Sequence, residues 1–156
     1  MKLLNILVGS KSGITKEEEN DSDATLQDFR ASLNQNNYKC QFHAAAQLME
    51  KKEYFACIKA YQTLIGMYPD KRDYCELQIA DAYKWLGDTK KAIEFLVAAR
   101  IHGADAEKVD DSMWALCEDV YYQSHNSSKG IEAIEKYIMF FPKGKHISEA
   151  KALLIS

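Results

Sequence analysis

The chain has 156 residues, 47% hydrophobic and 28% charged, with a formal net charge of −3. That length supports one domain with a substantial core, and the mild acidity offers no electrostatic footprint for nucleic acid or an anionic membrane surface. Seven Gly and two Pro exclude a turn-rich β-sandwich and favour helices joined by short turns. The cysteines, Cys40, Cys57, Cys75 and Cys117, form no C-x-x-C pair, and each lies in or beside an apolar helical pattern. Buried, reduced thiols are expected, rather than metal ligands or disulfides. No apolar run reaches membrane-spanning length, and MKLLNILVG is short for a secretion signal and broken by Asn5. The expected compartment is the cytoplasm, with no membrane insertion and no nucleic-acid partner.

In chain order, residues 1–22 begin with an apolar run, Leu3 to Val8, and continue as an acidic stretch through Glu17, Glu18, Glu19 and Asp21. The acidic half has the composition of a flexible tether. The apolar half fits a segment docked on the body or an exposed segment that engages a partner, and docking is the preferred reading. Gly9-Ser10-Lys11-Ser12 is not a phosphate-binding loop, because Ser10 and Asn5 stand where that motif needs glycine. Ser22 or Asp23 can cap a helix to about Leu33, with Leu26, Phe29 and Leu33 on one face. Asn34 to Asn37 end it.

A helix from about Tyr38 to Lys51 and another from about Tyr54 to Met67, stopped by Pro69, form a hairpin. The next hairpin is the clearest in the chain. Ile79, Ala80, Tyr83 and Leu86 recur at helical spacing, stop at Gly87-Asp88, and resume at Ala92, Ile93, Leu96 and Ala99. Gly87 suits a left-handed helix-closing position, and Asp88 or Thr89 can cap the helix that follows.

A shift of 35 residues lays Ala45, Leu48, Cys57, Ile58, Tyr61 and Leu64 over Ala80, Tyr83, Ala92, Ile93, Leu96 and Ala99. A further shift of 38 carries the second hairpin onto Cys117, Asp119, Val120, Tyr121, Gly130, Ile131, Ile134 and Tyr137. Three repeats result, at about 38–72, 73–110 and 111–145. The extra residues of the second interval are expected in a loop from Gly103 to Asp111. A last helix, about His146 to Leu154 within 146–155, and the helix at 23–33 are expected to cap the two ends.

A period near 34 residues, paired helices and a proline closing the second helix resemble the tetratricopeptide repeat. The family's tryptophan in the first helix is matched by Trp114, with Gln41 and Glu76 in the other copies. Its later aromatic is matched by Tyr83 and Tyr121, with Leu48 in the first copy. Its small residue early in the second helix is matched by Cys57, Ala92 and Gly130, and its closing proline by Pro69 and Pro142, with Ala104 in the second copy. The resemblance covers about residues 38–155 and is nearest the repeats of bacterial outer-membrane-assembly and TolA-binding proteins, without their export signal. It implies an all-α fold: a right-handed α-solenoid of three helix-turn-helix repeats over residues 23–156. Glu118 and Tyr137 replace small residues of the pattern, which predicts a splayed or rotated third repeat.

By the same resemblance, the first helices line a concave groove that takes a peptide or helix of a partner protein. The implied groove residues are Lys39, Phe42, Ala46, Met49 and Glu50, then Tyr74, Leu77, Asp81, Lys84 and Trp85, then Ser112, Ala115, Asp119, Tyr122 and Gln123. Those expected to bind are Lys39, Phe42, Met49, Tyr74, Asp81, Lys84, Trp85, Asp119 and Tyr122. Asp81 and Asp119, one repeat apart, could pair with a basic group of the ligand. Phe42 and Ala46 stand where relatives that clamp a chaperone's C-terminal carboxylate use Lys and Asn, so that activity is not expected. Lys51, Lys52, Lys90, Lys91 and Lys129 fall at or beside the hairpin turns, where a solvated edge is the plainer reading and an acidic partner the other.

Catalysis has little support. His43, His102, His125 and His146 are scattered, with no H-E-x-x-H, nucleophile elbow or glycine loop, and Glu118 is the carboxylate expected to be buried. No enzyme activity, cofactor or metal is expected. The function read from the chain is a non-enzymatic protein-interaction scaffold or adaptor. The alternative is a dedicated cytoplasmic chaperone or inhibitor of immunity type for one secreted effector or toxin. Self-association as a homo-oligomer, through Leu154 and Ile155 or through Leu3 to Val8, is a third expectation.

Overall fold

The computed structural model describes residues 25–125 and 127–155. The Leu3 to Val8 segment, the acidic tether and the caps expected at Ser22 or Asp23 lie outside the described residues. Among those described there is no strand. The helices are α1 Gln27–Ser32, α2 Tyr38–Glu50, α3 Tyr54–Met67, α4 Arg72–Trp85, α5 Thr89–Ile101, α6 Ala106–Gln123, α7 Ser128–Phe140 and α8 Ile147–Ile155. A short 3-10 turn, Pro69–Lys71, joins α3 to α4. The chain divides into two compact units, one ending at His102 and the other beginning at Gly103.

In the first unit, α1 packs on α2, α2 on α3, α3 on α4 and α4 on α5. The six matched positions 35 residues apart share one environment. Ala45, Leu48, Cys57, Ile58, Tyr61 and Leu64 are all buried, as are Ala80, Tyr83, Ala92, Ile93, Leu96 and Ala99. Each full burial of a Leu, Ile or Phe side chain contributes about 1.5–3 kcal/mol. Helix starts are fixed by side chains that accept otherwise unpaired amide hydrogens: Asn37 takes the Lys39 N–H at 3.0 Å, and Asp88 rather than Thr89 takes that of Lys91 at 3.2 Å.

The hairpin turns share a device that only one of them advertises in sequence. Gly87 closes α4 with φ +81°, as its type suggests, and the residues at the corresponding positions, Lys52 and His125, adopt the same left-handed backbone at φ +63° and +53°. For a residue with a Cβ this conformation costs about 1–2 kcal/mol.

In the second unit, α6 packs on α7 and α7 on α8. The loop expected from Gly103 to Asp111 is corrected here. Helix α6 begins at Ala106, with Asp105 accepting the Lys108 N–H at 3.1 Å, so the extra residues extend the helix to 18 residues against 14 in α4. The third hairpin, expected to be splayed or rotated, has its close approach at a different residue from the one the repeat pattern implies. A Cβ on Gly130 would come within 3.0 Å of the Tyr121 Cα, so α6 and α7 approach closely, and they do so beside Tyr121 rather than Glu118. Glu118 is only half-buried, whereas Glu76, Glu94 and Asp110 are the buried carboxylates. Cys57, Cys75 and Cys117 are buried, each thiol pushed up to about 12 by burial, but Cys40 is exposed. It lies on the solvent side of α2, one position before the buried Gln41.

Candidate interaction face

Asn37 starts α2 so that Tyr38 and Phe42 fall one turn apart, and the 3-10 turn after Tyr68 leads into α4 so that Tyr74 meets Phe42. The Phe42 ring lies 6.1 Å from Tyr38, 5.9 Å from Tyr68, 6.4 Å from Tyr61 and 6.0 Å from Tyr74, centroid to centroid. Such pairs contribute about 0.5–1.5 kcal/mol each beyond the area they bury. Tyr61 is fully buried at the base of the cluster, while Tyr38 and Tyr74 remain 46% and 42% exposed at its rim. Burial, with Tyr74 beside it, pushes the Tyr61 phenol well above the ordinary tyrosine range, so it stays neutral.

The other expected residues of the first unit divide by environment. Lys39 is exposed and Met49 half-buried on α2; Asp81 and Lys84 are exposed on α4. Trp85, at the end of α4, is 60% exposed, with the Lys84 ammonium 5.5 Å from its ring centre. Tyr74 and Trp85 are 11 residues apart on one helix, about 16 Å along its axis. The structure therefore brings Phe42 and Tyr74 together and leaves Trp85 as a separate aromatic further along α4, with Asp81 one turn before it.

Asp119 and Tyr122 belong to the second unit. Asp119 is exposed and accepts from Gln123 Nε2 at 3.1 Å, and Tyr122 is 59% exposed, its ring 5.3 Å from that of Tyr121.

Sequence reasoning missed the polar side of the first-helix tryptophan position. Gln41 is buried, donating to the Gln35 carbonyl at 3.0 Å and accepting from the Tyr68 hydroxyl at 2.5 Å. Glu76 is buried against His102 Nδ1 at 2.6 Å. Trp114 stacks on the His146 ring at 5.5 Å and 9°. The two mismatches to the repeat pattern were the signal.

His146 belongs to a second polar cluster. The Tyr137 hydroxyl donates to Asp110, which also accepts the Lys145 N–H at 2.8 Å, while the His146 N–H donates to the Tyr137 oxygen at 3.1 Å. Outside this buried core, His146 Nε2 meets Asp111 at 2.8 Å and Nδ1 meets Glu149 at 3.3 Å; these partners raise the imidazole pKa above its usual value against the opposing effect of burial. Tyr137 is fully enclosed, its phenol held neutral by burial and by Asp110. This arrangement ties the Phe141 to His146 turn to α6 and α7; it presents no exposed nucleophile. Among the described residues, no three His, Cys, Asp or Glu side chains converge as a metal site, and no helix is long and apolar enough to cross a membrane.

No protein-family model, curated protein or solved structure matches the chain.

Proposed function

We propose that this all-helical chain is a tetratricopeptide-like α-solenoid that acts as a non-enzymatic cytoplasmic scaffold, holding a segment of a partner protein against the first-helix face of α2 and α4. The observation that carries the reading is the aromatic row on that face. Phe42 links Tyr38 to Tyr74 over a buried Tyr61, and Trp85 stands exposed further along α4, one turn after Asp81. Large rigid rings with half their surface in water lose little conformational entropy on binding and are typical anchors of protein interfaces. The shared burial of positions 35 residues apart and the left-handed residue in each hairpin turn support the repeat reading.

Affinity capture from the native cytoplasm with the intact protein and with a Tyr74→Ala/Trp85→Ala variant tests it. A protein retained by the wild type and lost by the variant, with helicity and melting temperature preserved, is the expected result. Equal retention by both removes this face from consideration.

A further inference from the structure

The three residues at the first-helix tryptophan position form a natural comparison. All are buried, and each reaches a group near or beyond the end of its hairpin's second helix: Gln41 to Tyr68, Glu76 to His102, Trp114 to His146. The amide and the indole carry no titratable proton, whereas Glu76 carries a carboxyl that is 1% exposed. One oxygen meets His102 Nδ1 at 2.6 Å, with Arg72 Nε 3.6 Å away, and the other accepts no hydrogen bond among the described residues. His102 is partly open to solvent, so protons can reach the pair.

We infer that the Glu76–His102 contact is a proton-operated clasp that sets how tightly the end of α5 is held to α4, with hairpin α4–α5 the pH-responsive hairpin of the first unit. A carboxylate this deeply buried keeps its charge in low dielectric; a proton on the carboxyl removes that charge and leaves a neutral group facing His102 Nδ1 at 2.6 Å. The groups acting on the carboxyl are His102 from the end of α5, and Arg72 and Asp73 from α4. From the other side, α3 turns Cys57 and Tyr61 toward α4, and both stay protonated through neutral pH. Burial outweighs His102 and Arg72, so the folded carboxyl holds its proton above the ordinary 4.5. The sign follows from linkage. The stabilisation is complete below 4.5 and is lost as pH rises through the folded value, because only the folded state still binds the proton in that window.

Hydrogen exchange of the intact protein between about pH 5 and about pH 8, corrected for intrinsic rates, tests the clasp. Protection at the end of α5 is expected to fall about tenfold for each pH unit over which the folded Glu76 carboxyl keeps a proton that the unfolded one has lost. The end of α3, where Gln41 makes the equivalent contact, serves as the internal control and is expected to stay level. Glu76→Gln should flatten the α5 profile to match it. A wild-type α5 profile as level as that of α3, or a slope that survives in Glu76→Gln, overturns the clasp. Should that variant fail to fold, the wild-type Glu76 carboxyl carbon resonance decides. A step above 4.5 accompanied by a change at the His102 ring supports the clasp, and a step at 4.5 without one rejects it.

Discussion

Glycine to alanine, made at two positions of the first unit, should move stability in opposite directions. Gly87 has φ +81°, and a Cβ there would meet nothing within 4 Å, so the substitution is isolated from packing. The left-handed backbone would cost alanine about 1–2 kcal/mol, offset by about 0.4–1 kcal/mol from a less flexible unfolded chain. The net is a loss of roughly 1 kcal/mol. Gly66 also meets nothing within 4 Å, but it lies inside α3 with ordinary helical backbone. There alanine gains about 0.5–1 kcal/mol. Urea unfolding followed by far-ultraviolet circular dichroism reads both as midpoint shifts at constant slope. Lys52, which adopts φ +63° at the position corresponding to Gly87, extends the argument. Lys52→Gly should raise the midpoint slightly or leave it in place, where most glycine substitutions beside a helix lower it. Midpoints that move the same way for Gly66→Ala and Gly87→Ala would refute the reasoning.

Two further predictions concern the second unit. Gly130→Ala places a Cβ 3.0 Å from the Tyr121 Cα and 3.2 Å from its carbonyl oxygen, so α6 and α7 must part. Overpacking of about 1–3 kcal/mol should exceed the helix-propensity gain of about 1 kcal/mol, lowering the melting temperature. Tyr137→Phe keeps the ring packing but removes the donor to Asp110 and the acceptor for the His146 N–H. A loss of about 1–3 kcal/mol is expected in denaturant titration, with faster hydrogen exchange at His146.

The helices were legible because apolar residues recur at helical spacing and because Gly87-Asp88, the Asn34–Asn37 run and the two prolines punctuate them. Lys52 and His125 were not legible as left-handed residues, since neither type signals a turn; what they share with Gly87 is the position in the hairpin, not the residue type. Helix α6 started earlier than expected because Asp105 caps it, and a run of mixed charge before the apolar pattern reads equally well as loop. The aromatic residues were visible one at a time, but the Phe42 to Tyr74 contact depends on how α4 is aimed by the turn at Pro69, which spacing does not specify. The Glu76–His102 pair joins residues 26 apart, so Glu76 appeared only as a mismatch to a repeat pattern. Glu118 reads as the buried carboxylate because its position is small in the repeat family; here the close approach lies beside Tyr121, and Glu118 stays partly exposed.

Whether a partner segment lies on the face formed by α2 and α4 is read most directly from a hydrogen-exchange footprint of the purified complex with the captured partner. Slowed exchange concentrated in residues 38–50 and 72–85, with α3 unchanged, is expected. Protection confined to α3, α5 or the second unit, with residues 38–50 and 72–85 exchanging as in the free protein, would contradict it.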